Sequence, residues 1–381
     1  MKILIVSPVG ETPHTRKIPA VLAQDDQVEL TVVAPEKVTT EKVYNPSGWF
    51  CLETEEDVEG YHLIPVPLKD PYNFSCGFES EPLLRVIKNI RPDIIQVWSG
   101  PTAELLFQVV WLKVRAWRKA KVVFYGFDNL PIRLGRISRL KWRTIWTQVA
   151  GGLEADSEGV KNIRRAGFSG PVERIFWGVP TDIFRPMDKL ELKQDLKLEY
   201  DHIVGHVGRL VPEKGSMVLL AAMRNLPSTV HCLIIGSGPM RVELELWSGL
   251  PDLSGRIHLF DAMKPEVLAK YMNCMDVLAV PSLTSSYWKE QYGRVIGEAM
   301  ACGVPVVGSD SGAIPQVISS AGLIVPEGNA RALAEALQKA IFDQKVRADL
   351  IQRGLERAEQ ELSVEAMSQQ LLGFYNRILG A

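Results

Sequence analysis

The feature that most limits the fold is a set of short, continuous apolar runs separated by helix-like segments. Ile3–Val6, Glu29–Val33, Tyr61–Val66, Asp93–Val97 and Lys121–Tyr125 are rich in Val and Ile and do not alternate with polar residues. Strands covered on both faces read this way, because neither face is left to water. Amphipathic stretches such as Glu81–Asn89 and Ala103–Lys119 lie between them. Strand and helix in turn predict a doubly wound parallel α/β sheet.

The pattern then restarts. Asp201–Val207, His231–Ile235, Arg256–Phe260, Asp276–Val280, Val304–Gly308 and Gly322–Val325 form a second set, and from Ala330 the chain reads as helical. A length of 381 residues is ample for two domains. The expected division is an N-terminal domain over 1–185, a charged, Pro-containing linker over 186–200 and a C-terminal domain over 201–355. A last helix within 356–381 is expected to pack back on the first domain. Two such domains facing one another would leave a cleft at the carboxyl ends of their strands, the edge where these sheets take ligands.

Composition excludes several classes. Apolar residues are 46% and charged residues 23%, the balance of an ordinary cored protein. A formal net charge of −2 gives no support to nucleic-acid binding. Five scattered cysteines with no CxxC pair argue against a disulfide framework or zinc site and point to a reducing, cytoplasmic compartment. The opening MKILIVSPVG runs into Pro and Gly without a cleavage signature, so it reads as a strand rather than a leader. No stretch reaches the roughly 18 apolar residues of a membrane span.

Three stretches carry candidate chemistry. Glu290-Gln-Tyr292-Gly293-Arg294-Val295-Ile-Gly-Glu298-Ala-Met-Ala-Cys-Gly-Val-Pro predicts a loop, a helix from about Tyr292 to Cys302, a Gly cap and a strand. Free amides at that helix start would face an anion, and the two carboxylates can accept pairs of sugar hydroxyls. Glu290 has a plainer reading as well, an acid offsetting the helix dipole. His206-Val-Gly208-Arg209-Leu-Val-Pro-Glu-Lys214-Gly215 sets a guanidinium fork and an ammonium on a strand-to-helix loop, suited to a diphosphate. A solvated Arg and Lys paired with Glu213 is the alternative. Ile235-Gly236-Ser-Gly238-Pro is a Gly-rich turn but not a GxGxxG, which leaves a nicotinamide oxidoreductase the weakest reading.

Together, in this order and spacing, the three stretches resemble retaining glycosyltransferases of the GT-B fold, glycosyltransferase family 4 (group 1). The likeness is specific over roughly residues 201–326. The turn Trp177-Gly178-Val179-Pro180 with Phe184-Arg-Pro186 adds to it, although Pro180 stands where Asp is usual. The resemblance implies transfer of a sugar from a nucleotide-diphosphate donor, UDP before GDP, to a glycan or lipid-linked acceptor. It implies catalytic roles for Arg209, Lys214 and Glu290, with Arg209 and Lys214 on the diphosphate. Glu298 would take the ribose, Glu290 the transferred sugar, and Gly208, Gly236, Met263, Tyr292, Gly293, Arg294 and Val295 would complete the donor site with Gly10. No cofactor and no metal are expected.

The first half departs from the family. One glycine, Gly10, stands where a Gly-Gly loop is common. Gln96-Val-Trp98-Ser99 replaces a His-x-His-like element, so Trp98, Ser99 and the first-loop His14 are the acceptor-side candidates. A non-catalytic nucleotide-sugar or glycan binding protein therefore stays open as the alternative. Residues 111–146 interleave ten Lys and Arg with Trp111, Trp117, Trp142 and Trp146. That mixture fits peripheral contact with an anionic membrane, or else two ordinary amphipathic helices with buried Trp.

Overall fold

A computed structural model describes residues 1–8, 16–39, 49–52, 54–58 and 60–380. It divides into two compact units, Met1–Gly178 with Val364–Ala381, and Val179–Ser363.

The strands of the first unit are β1 (Lys2–Val6), β2 (Glu29–Pro35), β3 (Lys37–Thr39), β4 (Trp49–Cys51), β5 (Glu56–Val58), β6 (Tyr61–Val66), β7 (Ile94–Val97), β8 (Lys121–Gly126), β9 (Val149–Glu154) and β10 (Val172–Arg174). Eight form one sheet in the order β10-β9-β8-β7-β1-β2-β6-β5, while β3 and β4 pair apart. All neighbours in the large sheet are parallel except β5 and β6. Four of the five apolar runs, those of β1, β2, β7 and β8, are its buried centre, as their continuity requires, while β6 next to the edge strand is half-buried. The chain reverses its direction of progress across the sheet beside β1, which is flanked by β2 and β7.

Strand β9 gave no apolar run because its sequence is VAGGLE. Its glycines answer to packing: a Cβ at Gly152 would fall inside the Phe124 ring, and one at Gly151 would meet Phe374. Phe374 belongs to the C-terminal helix Val364–Leu379, which is part of this unit. There Tyr375 Oη donates to Gln96 Oε1, and the Gly178 amide meets the Met367 sulfur at 3.1 Å.

In the basic strip the indoles follow the second of the two readings, amphipathic helices with buried Trp. Trp142 and Trp146 are buried, and Trp146 Nε1 donates to the Pro101 carbonyl at 3.1 Å. Trp117 Nε1 donates to the Pro92 carbonyl at 3.1 Å. Only Trp111 of the four is exposed, and Arg115 lies over its ring. The indoles serve the core because helical spacing turns them inward, not toward a surface. The exposed large apolar residues of helix Arg136–Trp146 are instead Ile137 and Leu140, 88% and 68% accessible.

The second unit holds β11 (His202–Val207), β12 (Val230–Ile235), β13 (Ile257–Phe260), β14 (Val277–Val280), β15 (Val306–Ser309) and β16 (Leu323–Val325). They make a parallel sheet in the order β13-β12-β11-β14-β15-β16. The order reverses between β11 and β14, the point where open α/β sheets place their ligands. The segment expected as linker carries a helix, Lys189–Asp195, capped by Asp188 and built into this unit. Its Lys189 Nζ reaches Asp276 Oδ1 at 2.8 Å, Arg347 reaches the same atom at 3.0 Å, and the Ile203 amide donates to Asp276 Oδ2 at 2.8 Å. Burial works to raise the Asp276 pKa, but Lys189, that amide and Arg347 together hold it below the usual range. Among the described residues no helix is long and apolar enough to cross a membrane.

Candidate functional site

The three motif stretches meet at the carboxyl edge of the second sheet. The loop after β11 and the turn after β12 are joined through backbone: Leu210 N donates to the Ser237 carbonyl at 2.9 Å, and Met240 N to Leu210 at 3.0 Å. This approach explains the glycines, since a Cβ at Gly236 would strike the Gly208 carbonyl. Gly215, with φ +70°, lies against the Pro281 carbonyl at the end of β14. The loops of β12, β11 and β14 therefore share one rim.

Beneath it, His206 is fully enclosed. Its Nδ1 lies 3.1 Å from the Ala279 carbonyl and its Nε2 2.9 Å from Ser216 Oγ. The ring thus donates through Nδ1 and accepts through Nε2, and this fixes β11 against β14 and the helix Ser216–Met223. Burial lowers its pKa from 6.5 to about 4. Because the folded pKa lies below the unfolded one, the unfolded chain takes up the proton first. Stability is then full above about pH 6.5 and falls progressively toward pH 4, by about 3 kcal/mol in all. Urea unfolding of the native chain and of His206→Gln at pH 7 and pH 4.5 checks this. The variant should lose less stability over the interval, and equal losses would contradict the assignment.

On the rim, the Arg209 side chain is exposed and its guanidinium has no partner among the described residues. Lys214 Nζ lies 2.6 Å from Glu290 Oε2, which also accepts from Ser282 Oγ at 2.8 Å. The Trp288 ring stands 5.3 Å from the same ammonium. Glu290 is held by its backbone too: its carbonyl accepts from the Ala313 amide at 2.9 Å, and a Cβ at Gly312 would collide with it.

Three residues on, Gly293 at φ +74° opens the helix Arg294–Ala301, slightly shorter than expected. The first-turn amides of Arg294 and Val295 have no earlier helical carbonyl to bind. Glu298 sits on this helix, 7% exposed, and burial raises its pKa against the lowering influence of Arg294. Tyr292 is buried beside Gly293. Met263 lies after β13 on the same edge, two strands from the switch point.

The structure thus brings Gly208, Arg209, Lys214, Gly236, Glu290, Tyr292, Gly293, Arg294, Val295 and Glu298 to one edge, with Met263 toward its end. Sequence reading missed Ser282 and Gly312, which secure Glu290, and Trp288. Their only signal was position, in the loops that follow β14 and β15. Gly10 and His14 lie outside the described residues. In the first unit, Trp98 and Ser99 follow β7, and Trp98 packs edge-on against Trp177 at 4.9 Å between ring centres. Trp98 Nε1 and Ser99 Oγ are buried without a partner among the described residues.

Two parallel-sheet α/β units of this kind define a GT-B fold. HepE of Anabaena, solved with UDP and glucose, superposes over 99% of this chain and 100% of its own at a TM-score of 0.73 and 18% identity. Residues 188–357 match the family described as glycosyl transferases group 1. The chain is 33% identical over 175 residues to the D-inositol 3-phosphate glycosyltransferase of Mycobacteroides abscessus, covering 44% of this chain and 38% of that protein. It is 30% identical over 205 residues to the capsular polysaccharide biosynthesis glycosyltransferase CapM of Staphylococcus aureus, half of each chain. The chain therefore spans half or less of the curated relatives it matches.

Proposed function

We propose that this chain is a retaining, metal-independent glycosyltransferase that moves a sugar from a nucleotide-diphosphate donor, a UDP-sugar before a GDP-sugar. The acceptor is a glycan or a lipid-linked saccharide. The observation that carries the reading is an exposed Arg209 guanidinium, without a partner among the described residues, on the rim that also holds Lys214, the start of helix Arg294–Ala301 and two buried carboxylates. Breaking the bond between the anomeric carbon and the diphosphate oxygen places negative charge on the leaving group. Arg209, Lys214 and the helix-start amides stabilise that charge where it develops. Glu298 takes the ribose hydroxyls and Glu290 those of the sugar. The acceptor attacks from the leaving-group side and its proton passes to the departing phosphate, so no carboxylate pair of glycosidase type is needed.

The activities of those relatives and the UDP held by HepE support this reading. A nucleotide-sugar binding protein without turnover is the second reading, favoured by Trp98 and Ser99 standing where a histidine is common. Release of nucleoside diphosphate from UDP-glucose, GDP-mannose and similar donors, in the presence of a polyprenyl-linked saccharide fraction and of a chelator, separates the two. Product release in chelator supports the transferase, and tight donor binding with no release supports the binding protein.

A lipid-linked acceptor would be met at a bilayer. Helix Arg136–Trp146 exposes Ile137 and Leu140 beside Arg136, Arg139 and Arg143, with no acid between 129 and 153. We propose that this face contacts anionic membrane. Flotation with phosphatidylglycerol vesicles should capture the chain at low salt, less so at high salt, and far less after Ile137→Asp with Leu140→Asp. Equal recovery of that variant would contradict the contact.

A further inference from the structure

In the reading above Lys214 serves the diphosphate and Glu290 the sugar, yet in the structure they hold each other. The contact is 2.6 Å, and the two side chains are 17% and 6% exposed. Ser282 Oγ supports the same carboxylate oxygen at 2.8 Å. An ammonium in contact with a carboxylate has much of its field cancelled at a nearby phosphate.

We infer that Glu290 is an internal counter-ion which Lys214 exchanges for the donor diphosphate, so that the site favours a nucleotide-sugar over the sugar-free nucleoside diphosphate. This rests on the assignment of both residues to the donor. A nucleotide-sugar brings hydroxyls that donate to Glu290 while Lys214 turns to the phosphates, so every buried charge keeps a partner. The sugar-free product brings phosphates alone. Drawing Lys214 away would then leave a buried carboxylate with hydrogen bonds but no neutralising cation, and removing the counter-ion of a buried pair is the costly outcome.

The geometry assigns the motion to the lysine. Glu290 is pinned by Ser282, by the Ala313 amide and by the close approach of Gly312. Lys214 has a flexible stem running beside Gly208, and its point charge can bond in any direction. Once the sugar has left, Glu290 recovers Lys214 and the nucleotide loses a cation. Product release is thereby coupled to transfer.

The test is calorimetric titration of the full chain with UDP and UDP-glucose, and with GDP and GDP-mannose. Glu290→Gln should bind the free diphosphate about tenfold more tightly, the scale of one close charge coupling, and the nucleotide-sugar more weakly. Lys214→Met gives an independent reading: it should weaken the nucleotide-sugar far more than the free diphosphate. Parallel losses for both ligands in either variant would overturn the exchange and leave the donor site standing. A native chain that binds none of the four probes would overturn the donor site itself.

Discussion

Arg209→Ala is expected to lower kcat/KM by about 10²–10³ while leaving the melting temperature within a degree or so of the native value. The size follows from what one preorganised donor contributes when charge develops on a leaving group, about 3–4 kcal/mol. The unchanged stability follows from the side chain's surroundings. It is exposed and makes no hydrogen bond among the described residues, so its removal breaks nothing. The backbone that positions it, from Leu210 N to the Ser237 carbonyl and from Met240 N to Leu210, does not depend on its side chain. Arg209→Lys should recover only part of the loss, because an ammonium cannot offer the parallel donors of a guanidinium. Steady-state kinetics with a thermal melt on each variant checks both halves. A variant that melts like the parent and turns over like it would remove Arg209 from the mechanism.

Asp276→Ala should have the opposite profile, a large loss of stability far from the rim. The carboxylate is 3% exposed and serves Lys189, Arg347 and the Ile203 amide together. Its loss strands two cations in partly buried positions, which costs about 3–5 kcal/mol. For a unit of this size the melting temperature should fall by about 10 °C. In the native chain the contribution is present above the ordinary carboxyl range and is lost as pH falls through the lowered Asp276 pKa. Asp276→Asn, which keeps the side-chain volume and one acceptor oxygen, for either the amide or a cation, should lose less. Chemical denaturation of the two variants distinguishes this from mere packing, which would leave the isosteric Asp276→Asn at native stability, whereas loss of the charge destabilises both.

These predictions show where the sequence was informative. The buried strands announced themselves through continuous Val and Ile, because a parallel sheet covered on both faces tolerates little else. β9 did not, since Gly151 and Gly152 yield their side-chain space to Phe374 and Phe124. The helix Lys189–Asp195 read as a linker because its role is electrostatic: Lys189 finds Asp276 only in three dimensions. At the candidate site the motif residues could be named, but the Lys214–Glu290 contact joins residues 76 apart in the chain, which no local pattern records. Ser282 and Gly312 looked like ordinary turn residues for the same reason. The indoles of 111–146 left two readings open because composition does not say which way a helix faces; Trp142 and Trp146 face the core.

The central claim is a nucleotide-diphosphate site at the switch point of the second sheet. The most direct measurement is a thermal-shift panel with UDP, GDP, ADP and their sugar conjugates on the native chain and on Arg209→Ala. A ligand at a hundredfold its Kd adds about 2.7 kcal/mol to the folded state, a shift of several degrees. The account predicts a shift with one nucleotide series, UDP foremost, that Arg209→Ala abolishes. No shift with any of them, or one that Arg209→Ala retains in full, would contradict it.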